Sequence, residues 1–350
     1  MSARYWRSLW QLTACPRGLS LDGKKIWLLR LVLPGHYGRW LTGILLLVVL
    51  LPLFHLGVGD SPDGTTPALF FSLIIAYIVP IFSFITAKSQ EALRDLRPYL
   101  DLDQEAFVET HGRLASASSR AIAVQVVGGI LGGVVHMSLV RGSPAATLEA
   151  ILGSVQGALS TLGAVLVWLV MTTVISMLIQ QASIFARLGR DNVRLSLLNT
   201  RSQSPFARVS ISSSLAVIGA LALFPLISFE SGLNLMESVP GTIATLVPML
   251  AMFIIPVWPV HLRLAAMKSQ QLAELNDRVD TFTEEDGSVD LQDGVPGGLV
   301  SLLYYRGEVA NASTWPFDWG NLSRLVFYLV IPPLTWVAAA LIENVVDAFV

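Results

Sequence analysis

The sequence predicts an all-α polytopic membrane protein with seven transmembrane helices, its N-terminus inside, its C-terminus outside, and helical extensions into the cytoplasm. Three observations predict this class. Hydrophobic residues make up 53% of the 350 residues and charged residues only 14%, against about a quarter charged in soluble domains. Several apolar runs reach the roughly 18–20 residues that a helix needs to cross a bilayer. Finally, Lys and Arg are distributed very unevenly between the connections.

Apolar run length places the seven spans in order. The predicted spans are residues 40–58, 67–87, 121–140, 150–180, 210–229, 240–260 and 325–346. The regions outside the spans complete the organisation. An interfacial N-terminal arm occupies 1–39, and the first six spans lie within 40–260, with cytoplasmic extensions at 88–120 and 181–209. A cytoplasmic helical segment with an acidic loop at 261–324 then precedes the last span, which lies within 325–350.

The connections alternate in basic residues. Counted on this seven-span arrangement, 22 of the 23 Lys and Arg residues lie on one side, and Arg141 stands alone on the other. Basic residues stay cytoplasmic in multi-pass proteins, whereas acidic residues contribute little to orientation. The distribution therefore predicts an inside N-terminus and an outside C-terminus. We further expect a multi-pass protein of the plasma (inner) membrane of a prokaryote.

The cytoplasmic connections read as helices. Pro98 is expected to break a helix within 89–116, and Asp101 or Asp103 to cap the next one near Gln104. The fourth and sixth spans are expected to continue as helix into the cytoplasm. The extension of the sixth span has one apolar face. Such a face predicts either a packed cytoplasmic bundle or a subunit interface, and we assign it to a cytoplasmic subunit interface. That face holds Leu264, Met267, Leu272, Leu275, Val279 and Phe282.

Glycines in the third and fourth spans recur at small-xxx-small spacing. Such spacing allows helix backbones to approach closely, which favours helix packing over a phosphate loop. The glycines assigned to packing are Gly128, Gly129, Gly132, Gly133, Gly153 and Gly157.

No motif predicts an enzyme, a metal site or a cofactor. The single Cys15 and the absence of HxxH or HExxH spacing exclude the usual multi-ligand metal motifs. His55 and His136 are predicted to be interfacial or buried histidines, with a pH-sensing role as the alternative. Basic residues interleaved with tryptophan in the N-terminal arm indicate binding to lipid headgroups and not to nucleic acid.

The last span carries two acidic residues without a basic partner nearby in sequence. Thr335, Ala339, Glu343 and Asp347 recur every four residues and so share one helical face. Carboxylates facing lipid are costly, so this face is expected to meet protein or water. Around an oligomer axis the two acids would form rings that concentrate cations. The alternative is that both lie in the outer headgroup layer.

This organisation resembles the seven-transmembrane ion channel superfamily of insect odorant and gustatory receptors. The shared features are the inside N-terminus, the prolonged fourth and sixth helices, and a last span in which Thr335-Trp336 is followed by VAAAL and Ile342-Glu343. The family pattern has Thr-Tyr, five apolar residues and then Gln-Phe, so the aromatic residue and the final pair differ here. The resemblance implies a tetrameric cation channel whose last spans line the pore.

The sequence thus predicts a homo-oligomeric, cation-conducting channel of the lipid bilayer, with inorganic cations as its permeant partners. Opening by a small-molecule ligand is compatible with the resemblance. Two other functions stay open: a secondary transporter, and a membrane sensor or scaffold that acts through its cytoplasmic helices.

Overall fold

The computed structural model of the protein describes most of the chain. The described residues are 23–35, 37–58, 65–199, 202–223, 249–285, 297–317 and six positions in the last segment. Helices hold 84% of them. The chain is thus mostly helical, as predicted. Among the described residues, four helices are long and apolar enough to cross a membrane, which supports a membrane-embedded protein. They are Gly38–Leu56, Ala68–Tyr99, Ser119–Val140 and Val155–Asn192.

Ten named helices follow one another in the described ranges. They are α1 (Trp27–Leu31), α2 (Gly38–Val58), α3 (Thr65–Leu96), α4 (Gln104–Arg113), α5 (Ser119–Val140), α6 (Pro144–Gly153), α7 (Val155–Arg187), α8 (Ser204–Leu221), α9 (Trp258–Glu285) and α10 (Gly297–Asn311). A 3-10 turn, Arg97–Tyr99, follows α3, and a π-helical turn, Leu188–Asn192, follows α7. Residues 249–254 are also helical.

Two hydrophobic cores lie along the bundle. The first core, which we call the membrane core, unites α2, α3, α7 and α8 around Phe54, Phe82 and Met177. The second core lies beyond one end of it and joins the ends of α3 and α7 to the start of α8, to α9 and to α10. Helices of 32 and 33 residues are about 50 Å long. Because α3 and α7 are that long, each contributes side chains to both cores.

A buried amide holds α3 and α7 together near the junction of the two cores. Gln181 is fully buried. Its Oε1 accepts a hydrogen bond from the Ser89 hydroxyl at 3.1 Å, and its Nε2 donates to Thr86 Oγ1 at 3.1 Å and to the Leu114 carbonyl at 2.9 Å. A buried amide is costly unless it is paired in this way, so these bonds fix the register of the two helices.

A two-stranded antiparallel ribbon closes the same junction. Strand β1 (Gly23–Lys25) pairs with β2 (Ser116–Ser118), with Lys24 opposite Ala117. The side chain of Gln180 donates to the Arg113 and Ser116 carbonyls at 2.7 and 2.9 Å. The ribbon therefore ties the end of the N-terminal arm to α7 and α5.

The helices of the second core largely follow the sequence predictions. Helix α3 ends at Leu96, two residues before Pro98, and the Asp103 side chain caps α4 by accepting from the Ala106 N–H at 2.7 Å. Both predictions are confirmed. Burial lowers the pKa of His111 on α4, and the charge of Arg94 lowers it further.

The fourth predicted span begins too early in the sequence. Residues 150–180 cross a break at Ser154, whose side chain caps α7 by accepting from the Gly157 N–H at 3.0 Å. The predicted outer connection at 141–149 instead starts α6, with Pro144 as its first residue. Proline fits the first turn of a helix because the N–H that it lacks would have no partner there.

The predicted continuation of the sixth span is also interrupted. Residues 255–257 form a turn before α9 begins at Trp258. Pro256 lies in this turn, and proline cannot donate the N–H that a continuous helix requires. The predicted extension over residues 261–282 is otherwise present as one helix, which continues to Glu285, into the predicted acidic loop.

Helix α5 packs closely on α7 through glycines four residues apart. A Cβ added at Gly129 or Gly133 would lie 2.6 Å from the Cα of Leu169 or Val165, respectively. Gly132 faces the Trp168 ring, and Gly157 lies against the carbonyl of Ala150 on α6. By contrast, an added Cβ at Gly128 or Gly153 meets no atom within 4 Å. Those two glycines therefore make no close helix contact within the described part of the chain.

Replacing Gly133 with Ala is expected to lower the thermal unfolding temperature in detergent, because the new Cβ would overlap the α7 backbone. Overpacking of this kind costs about 1–3 kcal/mol. Gly128→Ala is the matched control on the open face of the same helix, where Ala favours helix by about 1 kcal/mol. Equal unfolding temperatures for the two variants would contradict a close α5–α7 contact at Gly133.

Candidate functional site

The predicted pore face lies outside the described residues. Thr335, Ala339, Glu343 and Asp347 are all in the part of the last segment that the structure does not describe. Six neighbouring positions are described, and all six are helical and exposed. They are Gly320, Ser323, Phe327, Val330, Leu334 and Ala338.

These six positions share one side of the last helix. Their spacing of three or four residues is the repeat of a single helical face. Phe327 is 67% and Leu334 is 59% exposed. Most of the side chains on this side of the helix are apolar.

An aromatic cluster lies where the chain enters this last segment. The imidazole of His261 stacks on the indole of Trp315, with ring centroids 3.9 Å apart and planes 15° from parallel. Phe317 stacks on Phe253 at 4.9 Å, and Trp258 flanks both His261 and Trp315. We call these five residues the aromatic clamp, because they join the start of α9 to residues 312–317.

Two polar contacts reinforce the clamp. The Nδ1 atom of His261 lies 3.1 Å from the Thr314 carbonyl. Two turns further along α9, the Lys268 ammonium donates to the Ala312 carbonyl at 2.9 Å. Two side chains of α9 thus contact backbone carbonyls just before the last segment, those of Ala312 and Thr314.

Helix α9 is in turn fixed to the second core. Arg263 Nη1 donates to the Gly189 carbonyl at 2.9 Å and to the Val193 carbonyl at 3.1 Å, at the π-helical turn after α7. Gly189 allows this approach, since an added Cβ there would lie 2.6 Å from Val260 Cγ2. Helix α9 therefore links the π-helical turn after α7 to the entrance of the last segment.

The face of α9 that was assigned to a subunit interface packs within the chain itself. Leu264 and Leu275 are buried in the second core, and Met267 and Leu272 pack against it. These side chains are covered by the protein's own helices, so the intrachain bundle uses the apolar face. Val279 is half-buried, and the side chain of Phe282 lies outside the described residues.

The two histidines singled out in the sequence are far from the aromatic clamp in the chain. His55 is exposed near the end of α2, and His136 on α5 lies 6.1 Å from the Trp168 ring. Within the described ranges, no group of three or more His, Cys, Asp or Glu side chains is placed to hold a metal ion.

Trp315→Ala is expected to loosen the aromatic clamp. The variant loses a stacked partner of His261, and such aromatic contacts contribute about 0.5–1.5 kcal/mol beyond burial. Hydrogen exchange at the amides of residues 312–317 should therefore become faster. Tyr304→Ala is the matched control, because Tyr304 is an aromatic residue of α10 that is 72% exposed. Unchanged exchange in the Trp315 variant would contradict the clamp.

Comparison with known protein families, curated proteins and solved structures finds none that matches this chain. Its function is therefore inferred from its own residues.

Proposed function

We propose that the protein is a homotetrameric, cation-conducting channel of the plasma membrane, with the seventh span lining the pore. The observation that supports this proposal is that Gly320, Ser323, Val330, Leu334 and Ala338 are exposed on one side of the last segment. The seven-span topology with an inside N-terminus, predicted from charge, places the second core in the cytoplasm and the end of the last span outside.

An uncovered helix face in a membrane meets either lipid or another subunit. On the last segment, Gly320, Ser323 and Ala338 contribute small side chains to a face that also carries Phe327 and Leu334. Small residues are enriched where membrane helices pack against each other. This mixture favours contact with a second copy of the chain over contact with lipid along its whole length.

The predicted acidic face lies on another side of the same span. Consecutive residues of a helix lie about 100° apart, so on the predicted helix Thr335 and Ala339 lie to one side of Leu334 and Ala338. Glu343 and Asp347 continue the four-residue repeat of Thr335 and Ala339 and lie further round, with Glu343 opposite Leu334. Around a fourfold axis, the two carboxylates of each subunit would form two acidic rings at the outer mouth. Such rings raise the local concentration of cations and disfavour anions.

The aromatic clamp could couple movement of α9 to opening of the proposed channel. His261 and Lys268 hold the entrance of the last segment to α9, and Arg263 holds α9 to the π-helical turn after α7. A ligand or partner that shifts α9 would thereby move the pore-lining span. Gating by such coupling between packed helices is a recurrent form of conformational switching.

A sensor or scaffold is the second candidate, and one observation favours it. Helix α10 exposes Val300, Leu303 and Tyr304 beside its buried residues Leu299 and Val309. An apolar helix face outside the membrane is typical of a binding surface for another protein. This function predicts signalling without ion flux.

The channel is tested by recording currents from the purified protein in planar bilayers. Neutralising the acidic rings with Glu343→Gln and Asp347→Asn should lower the cation-to-anion permeability ratio and the unitary conductance, because the local cation concentration falls. Glu149→Gln is the control, since Glu149 is an exposed acid of α6 on the same predicted side of the membrane. The absence of any current, or equal selectivity in wild type and both acid variants, would contradict a pore lined by this span.

A further inference from the structure

In the predicted topology, Arg141 is the one Lys or Arg residue on the outer side of the membrane, at the end of the bundle opposite the second core. Residues of α7 bind its guanidinium. Nη1 donates to Thr161 Oγ1 at 2.9 Å, and Nη2 donates to Ser160 Oγ at 2.7 Å and to the Gly157 carbonyl at 3.2 Å. The backbone N–H of Arg141 also closes α5 by donating to the Met137 and Leu139 carbonyls. The side chain is thus both half-buried and oriented.

The three groups that accept hydrogen bonds from the Arg141 guanidinium, two hydroxyls and one backbone carbonyl, are all uncharged. Among the described residues, no carboxylate lies within 4.0 Å of the Arg141 guanidinium, and its Nε–H donates to no described atom. A guanidinium keeps its charge at every physiological pH. A half-buried charge at the edge of a membrane is costly unless an opposite charge lies nearby. Among the described residues, the positive charge of Arg141 therefore has no counter-ion.

The position of Arg141 matches the level of the lipid headgroups. Helix α5 has 22 residues, about 33 Å, which is close to the roughly 30 Å of a bilayer's hydrocarbon core. Arg120 lies in the first turn of α5 and Arg141 directly follows its last residue. The two arginines therefore mark the two boundaries of this span. Arg120 is exposed at its boundary, whereas hydroxyl and carbonyl acceptors of α7 orient Arg141.

We propose that the Arg141 guanidinium forms a binding site for a phosphate group. The Ser160 and Thr161 hydroxyls orient it by accepting its hydrogen bonds, while each hydroxyl donates its own hydrogen to the Gly157 carbonyl at 3.1 and 2.7 Å. The oriented guanidinium supplies the charge, and its Nε–H is available as a donor to a phosphate oxygen. Arginine binds phosphate through short, charge-assisted hydrogen bonds. Two sources carry this chemistry at a membrane surface, the phosphodiester of a phospholipid and free inorganic phosphate.

The test compares ligand binding to the full-length protein in mild detergent by native mass spectrometry. Phosphatidylglycerol, diacylglycerol with the same acyl chains, and inorganic phosphate are added separately to wild type, Arg141→Gln and Arg120→Gln. We expect phosphatidylglycerol to bind wild type and Arg120→Gln alike, and Arg141→Gln roughly tenfold or more weakly, as for loss of a hydrogen bond to a charged group. Diacylglycerol should not distinguish the variants.

The remaining outcomes separate the two sources or overturn the site. Binding of inorganic phosphate alone that is lost in Arg141→Gln supports the site with a free anion as its ligand. Equal binding of both phosphate ligands to wild type and Arg141→Gln overturns it. If Arg141→Gln is not monodisperse, phosphate binding is measured instead on the double variant Ser160→Ala, Thr161→Ala. That variant keeps the Arg141 charge and removes the two hydroxyls that orient the guanidinium. Unchanged affinity in that variant also overturns the site.

Discussion

The hydrogen bonds of Gln181 fix the two longest described helices to each other where the chain leaves the membrane core. Its amide reaches Ser89 and Thr86 on α3 and the Leu114 carbonyl after α4. No water competes for these groups because Gln181 is fully buried. With α3 and α7 in fixed register, the second core can assemble on their ends. Everything that α9 then positions, including the entrance of the last segment, depends on that register.

The aromatic clamp connects the second core to the last segment of the chain, which we propose lines the pore. Trp315 and Phe317 precede the last segment. Trp315 stacks on His261 at the start of α9, and Phe317 stacks on Phe253 in the helical residues before α9. The turn at residues 255–257 lies between Phe253 and α9, so the clamp spans a break in the helix. The stacked rings therefore bridge the break and join α9, the helical residues 249–254 and the residues before the last segment.

Hydrophobic run length predicted the membrane helices that the structure describes, because a span needs a continuous apolar stretch whatever its partners. Turn chemistry also predicted the helix end before Pro98 and the Asp103 cap. The break at Ser154 was missed, since the apolar run continues through it and only a local cap interrupts the helix. The β1–β2 ribbon was missed because Gly23–Lys25 and Ser116–Ser118 lack β-branched residues. The clamp joins residues more than 50 positions apart. Its only signal was the pair of Trp-Pro dipeptides at Trp258 and Trp315, each near a predicted span end.

Disulfide cross-linking in native membranes tests whether the exposed side of the last segment, which carries Leu334, contacts a second copy of the chain. Leu334→Cys would be made in a Cys15→Ser background, with Val48→Cys on the exposed face of α2 as the control for chance collisions. We expect covalent dimers for Leu334→Cys well above those for Val48→Cys. Equal cross-linking of the two variants, or none in either, would contradict a pore built around this span.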